Sequence, residues 1–159
     1  MKRLAVAFSG PSNSGKTTLI TKVAKIFLDE KLKVVVIKHD PANKAKFDVE
    51  GKDSYKFYQI GADVVVLSPT RSTYFSQEKK DLDDVIRMLG DFDILIVEGL
   101  KTLPLPRISV FRDKIDDSYL SFSDAIATNG IKFDTNLPNL DINNPVQICK
   151  WIKNNAKKV

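Results

Sequence analysis

The residues Gly10-Pro11-Ser12-Asn13-Ser14-Gly15-Lys16-Thr17 have the types and spacing needed to seize a phosphate group. The two glycines let the backbone curl until successive N–H groups face one anion, and the lysine after the second glycine adds a full positive charge. A hydroxyl at the next position suits a divalent cation bound to the same phosphates. The spacing therefore predicts a nucleotide cradle built from Gly10, Asn13, Ser14, Gly15, Lys16, Thr17 and the adjoining Thr18, with Lys16 reaching the β- and γ-phosphates and Thr17 facing Mg²⁺.

Chemistry on a triphosphate also needs an acid close to the metal. The run Asp93-Ile94-Leu95-Ile96-Val97-Glu98-Gly99 reads as a strand with one acid at each end. Ligands of open parallel sheets collect beyond the carboxyl ends of the strands, so the expected acid is Glu98. Asp93, ~16 Å away at ~3.3 Å per residue, is expected at the opposite rim. Asp48-x-x-Gly51 matches a short pattern in which an aspartate steadies the metal through water and a glycine N–H meets the γ-phosphate; a polar turn fits the same letters. His39 and Asp40 follow the second strand on the same sheet edge as the phosphate loop. No N-K-x-D tetrapeptide occurs to select guanine; Asn129, after the strand-like Asp124 to Thr128, could meet a base edge, and Asn129-Gly130 also has the composition of a turn.

Elements must place these residues. Leu4 to Phe8, Val34 to Ile37, Val64 to Leu67 and Ile94 to Val97 are apolar runs rich in β-branched side chains, as expected of strands covered on both faces. Leu19, Ile20, Val23, Ala24, Phe27 and Leu28 recur at steps of three and four, which predicts a crossover helix over 17–30. Asp53 or Ser54 would cap a short helix ending at Gly61, and Leu82, Val85, Ile86 and Leu89 predict another ending at Gly90. Ile108 and Val110 alternate as a strand. Asn144-Pro145 is an N-cap followed by proline at the first helical position, with Val146, Cys149 and Ile152 as the apolar stripe. The sum is one α/β domain over residues 1–159, a P-loop NTPase three-layer fold with a mostly parallel sheet flanked by helices.

Composition narrows the classes. The 159 residues are 43% hydrophobic and 28% charged, as in a soluble globular chain. One cysteine, Cys149, leaves no internal disulfide and no thiolate pair for zinc, which points to a reducing, cytoplasmic setting. The apolar stretch after Lys2-Arg3 is too short for a signal peptide, and none approaches the ~18 residues of a membrane span. The formal charge of +5 comes from lysines spread along the chain, with no arginine-rich block to mark a nucleic-acid binder.

Gly10 to Thr18, Lys38-His39, Asp48 to Ser54 with Gly61-Ala62, and Val97-Glu98-Gly99-Leu100-Lys101 through Pro106 to Arg112 occur in one order. In this the sequence resembles the MobB family of adapters in molybdopterin-guanine dinucleotide biosynthesis, over essentially the whole chain. The resemblance implies a homodimer that binds GTP and Mg²⁺, is at most a slow GTPase, and assists the molybdopterin guanylyltransferase that attaches GMP to molybdopterin. Its partners would be that enzyme, molybdopterin and molybdoenzymes, with no nucleic acid and no membrane. By the same resemblance Asp48, Gly51 and Glu98 would surround the reacting phosphate, and Lys52 and Lys101 would add charge near it. The histidine-rich stretch associated with this family is thinned here to His39. The competing reading is a P-loop small-molecule kinase, whose arginines close over the transferred group; Arg71, Arg107 and Arg112 are the candidates.

Overall fold

The structure, a computed structural model, describes residues 2–159. In chain order its elements are β1 (Leu4–Ser9), α1 (Lys16–Asp29), β2 (Val34–Lys38), α2 (Asp53–Gln59), β3 (Val64–Ser68), β4 (Arg71–Phe75), α3 (Leu82–Met88), β5 (Ile94–Glu98), β6 (Arg107–Val110), β7 (Ala125–Thr128), β8 (Asn139–Asp141), α4 (Pro145–Asn155) and β9 (Lys157–Lys158), with a short 3₁₀ helix at Asp117–Phe122. The chain divides into two compact units, one formed by the segments up to His39 and from Asp91 onward, the other by Asp40–Gly90.

The first unit holds a seven-stranded sheet in the order β2-β5-β1-β6-β7-β8, with β9 paired to β1. All pairs are parallel except β1 with β9. One face of the sheet, including Val6, Phe8, Ile96 and Ile108, packs on Leu19, Val23 and Phe27 of α1 and on Ile148, Cys149 and Ile152 of α4. The alternate residues Ala5, Ala7, Leu95 and Val97 are fully buried too. Burial on both faces is why β1 and β5 read as unbroken apolar runs; β2, at the end of the strand order, departs from the expectation, with Val36 48% exposed. The α/β class with a mostly parallel sheet flanked by helices is thus as expected.

The helix expected over 17–30 runs over Lys16–Asp29. Asn144 caps α4, its Oδ1 accepting the Gln147 N–H at 3.1 Å. The stripe of α4 is shifted from the expected one: Ile148 joins Cys149 and Ile152 in the core, and Val146 in the first turn is exposed. β6 is buried at all four positions, so it does not alternate.

In the second unit β3 does not behave as a doubly covered strand. It pairs antiparallel with β4, and Val65 and Leu67 are 59% and 79% exposed. A run of valines has strand propensity whichever sheet it joins, so composition alone could not separate the cases. Lys52, not Asp53 or Ser54, is the N-cap of α2, and it makes no side-chain cap; the Ser54 hydroxyl donates instead to Asp48 Oδ1 at 2.9 Å. A capping box between Asp81 and Asp84 starts α3. Among the described residues no helix is long and apolar enough to cross a membrane.

Candidate functional site: the phosphate loop and the end of β5

β1 delivers the chain to Gly10 at the carboxyl edge of the sheet, beside β6. A Cβ on Gly10 would lie 2.4 Å from the Val110 carbonyl oxygen, and φ is +139°, so only glycine fits. Gly15, at φ +86°, turns the chain into α1, whose first turn has no side-chain cap and no acidic residue. Its N-terminal N–H groups and partial positive charge are therefore left for an external anion. Ser14 is 3% exposed, and its Oγ has no hydrogen-bond partner among the described residues. A buried hydroxyl without a partner is costly, and a phosphate oxygen would satisfy it.

A cavity of about 350 Å³ lies over this loop, lined by residues 11–18 with Lys38 and Glu98. Asn13, Ser14, Gly15, Lys16, Thr17 and Thr18 thus border one space with the acid of β5. Lys16 Nζ donates to the Gly10 carbonyl at 2.8 Å and lies 3.7 Å from Glu98 Oε1. Lys38 Nζ reaches Glu98 Oε2 at 3.0 Å. Burial holds the Lys16 pKa below the ordinary lysine value; Glu98 opposes that shift, while Lys38 and then Lys101 reinforce it. Glu98 is held by two cations with its side chain 15% exposed. Lys38 as its second partner was not singled out for this from the sequence, yet parallel register supplies the signal: Lys38 stands opposite Glu98 where β2 pairs with β5.

The remaining expected residues make other contacts. Asp93 accepts the backbone N–H groups of Lys2 and Lys33 at 3.2 and 3.0 Å, at the amino end of β5. Lys101 Nζ sits 4.1 Å over the Tyr119 ring and is not among the residues lining the cavity. His39 donates its backbone N–H to the Glu98 carbonyl at 3.0 Å, and its Cβ would lie 3.0 Å from a Cβ on Gly99. Asn129 lines a second cavity of about 360 Å³ with Thr128, Gly130, Asn139, Asp141 and Asn143. Ile142, between two of those residues, would meet a Cβ on Gly15 at 3.3 Å, so this cavity adjoins the phosphate loop. Asp48, Gly51 and Lys52 belong to the second unit, where Asp48 Oδ1 accepts the Val49 N–H and Gly51, at φ +87°, turns the chain toward α2.

Hard-cation ligands are available in the first cavity as the Thr17 hydroxyl and the Glu98 carboxylate. Among the described residues no group of three or more His, Cys, Asp or Glu gathers to hold a metal. Mg²⁺ typically uses one or two protein oxygens and takes the rest of its shell from substrate phosphates and water, so this sparse donor set fits it.

The arginines speak against a kinase. Arg107 is fully buried. Its guanidinium donates to Ser9 Oγ at 2.6 Å and to the carbonyls of Gly99 and Leu100 at 2.9 and 2.7 Å. It cannot close over a phosphoryl group. Arg71 lies in the second unit; within the first unit Arg112, whose Nη2 would be 3.3 Å from a Cβ on Gly15, stands by the phosphate loop.

Residues 5–129 match the family described as MobB, molybdopterin guanine dinucleotide synthesis protein B. A Haemophilus influenzae molybdopterin-guanine dinucleotide biosynthesis adapter protein is 33% identical over 161 residues, covering 94% of this chain and 87% of that protein. A Methanocaldococcus jannaschii relative is 35% identical over 111 residues, and the chain spans only 46% of its length. The crystal structure of a molybdopterin-guanine biosynthesis protein B superposes with a TM-score of 0.78 at 28% identity, covering 95% of this chain and 99% of the other. Bacillus subtilis MobB shares the fold at a TM-score of 0.79 and 22% identity, covering 98% and 99% of the two chains. With its phosphate loop, its sheet and these relatives in agreement, the chain belongs to the MobB family.

Proposed function

We propose that this chain binds GTP together with Mg²⁺ at the phosphate loop and acts as an adapter in molybdopterin-guanine dinucleotide biosynthesis, assisting the transfer of GMP to molybdopterin. The observation that carries the nucleotide part is the uncapped start of α1 with the unpartnered Ser14 hydroxyl beneath it. Lys16 would leave the Gly10 carbonyl to meet the β- and γ-phosphate oxygens. The Thr17 hydroxyl and, directly or through water, Glu98 would hold Mg²⁺, which neutralises charge on the phosphates. Glu98 would also accept a proton from a water attacking the γ-phosphorus as the bond to the bridging oxygen breaks, giving GDP and phosphate slowly. The phosphates then run along the loop, and the nucleoside end would extend toward the adjoining cavity, where the Asn129 amide can meet a base edge.

The adapter role, the homodimer and the guanylyltransferase partner rest on family membership. A cytoplasmic setting accords with one buried, unpaired cysteine. Titration with GTP and ATP, with and without Mg²⁺, tests the site: GTP should bind more tightly, and Mg²⁺ should strengthen binding. Equal affinities would remove the guanine assignment. Adding the chain to a guanylyltransferase reaction should raise the yield of dinucleotide, and no effect at any ratio would overturn the adapter role. Sedimentation should give twice the 17.8 kDa chain mass.

A further inference from the structure

Arg107 opens β6, and its neighbour in register on β1 is Ala7. An alanine there presents only a methyl group, so the arginine side chain can cross β1 and arrive where β1 and β5 end side by side. Nη1 donates to Ser9 Oγ and to the Gly99 carbonyl, at 2.6 and 2.9 Å, and Nη2 to the carbonyls of Leu100 and Leu103, at 2.7 and 3.4 Å. Ser9 stands just before Gly10 of the phosphate loop, and Gly99 just after Glu98. One guanidinium thus ties together the two points at which neighbouring strands part toward the site.

The turn it holds is strained. Gly99 has φ +91° and Leu100 φ +51°, a left-handed conformation that a leucine rarely adopts. Such strain persists only where the surroundings over-determine it, and both residues of the turn give their carbonyls to Arg107. The Gly99 N–H is fixed as well, donating to the Phe8 carbonyl at 2.9 Å. Arg107 is fully buried, and the acceptors of its guanidinium are all neutral oxygens. A buried cation without a carboxylate partner is a costly filling for a core. Packing alone therefore does not account for it, whereas fixing one conformation of the turn does.

We propose that Arg107 is a positioning residue for the nucleotide site: it clamps the Gly99-Leu100 turn to Ser9 and thereby sets where Glu98 stands beside the phosphate loop. It acts through Glu98 and touches neither phosphate nor metal. The proposal rests on the reading of Glu98 as the acid beside Mg²⁺. Lysine is no substitute, because one ammonium cannot span Ser9 and both carbonyls as the planar fork does.

Calorimetry with GTP, once in EDTA and once with Mg²⁺, tests it on the full chain as wild type, Arg107→Lys and Ser9→Ala. Affinity without Mg²⁺ should change by less than about threefold, while the gain from Mg²⁺ should fall roughly tenfold in Arg107→Lys, the scale of losing a group that supports a metal ligand. Ser9→Ala, which removes one arm of the clamp, should show a smaller loss of the same kind, and it decides the matter if Arg107→Lys fails to fold by circular dichroism. Hydrogen exchange without nucleotide reads the clamp directly: the Gly99 and Leu103 amides, held on the Phe8 and Leu100 carbonyls, should exchange roughly tenfold faster in Arg107→Lys relative to the amides of β7. A wild type whose GTP affinity does not depend on Mg²⁺ would overturn the reading of the phosphate loop, and the proposal with it. With that reading intact, the proposal is overturned if folded variants keep the wild-type gain from Mg²⁺, if affinities with and without Mg²⁺ fall by one common factor, or if exchange at the turn is unchanged.

Discussion

Lys16 and Glu98 face each other at 3.7 Å across the phosphate loop, one from the first residue of α1 and the other from the last residue of β5. The lysine is also tied to Gly10 by a 2.8 Å hydrogen bond. A triphosphate at the proposed site would compete for both contacts, so the pair would act as a resident substitute for charge that the ligand supplies. Lys16→Ala should lower triphosphate affinity by roughly 10- to 100-fold, the scale of one charge-assisted hydrogen bond. The melting temperature without ligand should barely move. Unchanged affinity by calorimetry would remove Lys16 from the site.

The two acids of β5 should separate cleanly. Glu98→Gln keeps the shape and loses the charge, so nucleotide should still bind while hydrolysis falls by roughly 10² to 10⁴. Asp93→Asn lies ~16 Å away along the strand and should change turnover by less than about threefold, since so distant a charge is largely screened. Single-turnover phosphate release measures both. A larger effect from Asp93 would show that the wrong acid has been named.

Arg107 is a structural cation. Replacing it with lysine keeps the charge but cannot reproduce the fork that reaches Ser9, Gly99 and Leu100 together. Arg107→Lys should destabilise the protein by about 2–4 kcal/mol in urea unfolding, whereas Arg112→Ala, at an exposed position, should cost under about 0.5 kcal/mol. Equal effects would contradict the buried role.

Cys149 gives a pH signature. Burial between α4 and α1 raises its thiol pKa from 9.0 to about 11. Because the folded value lies above the unfolded one, the associated stability is complete below pH 9.0 and is lost as the pH rises toward about 11. Unfolding curves should weaken across that window, and Cys149→Ala should flatten the slope. Thiol alkylation at pH 8 should be slow until denaturant is added.

The geometry of the proposed phosphate site was legible because it depends on short-range rules: glycines where the backbone must curl, and a strand and helix on either side. Choosing Glu98 over Asp93 needed only the direction of a parallel strand. Lys38 required knowing which residue stands opposite Glu98, and that register is a property of the assembled sheet. Arg107 went astray because an arginine in sequence looks like a surface residue; nothing local announces that carbonyls from a loop will surround it. β4 was missed for a related reason, since Arg71-Ser-Thr-Tyr-Phe75 has strand propensity without an apolar face, and only its hairpin partner makes it a strand. Asp48 was read through a four-letter pattern, and the Tyr55, Tyr58 and Phe75 rings that line a cavity with it and Phe47 come from α2 and β4.

The Asp93 carboxylate has a consequence at the far end of the strand. By taking one N–H just before β1 and another just before β2, it starts both neighbours of β5 at a common level. Counting from there in parallel register, Phe8 and Lys38 both arrive opposite Glu98. A slip of one residue in β2 would turn Lys38 to the opposite face of the sheet and leave Glu98 without its 3.0 Å partner. The charge balance around Glu98 is thus set by a carboxylate at the other rim of the sheet, and a defect introduced there would be read as a misplaced lysine a full strand length away.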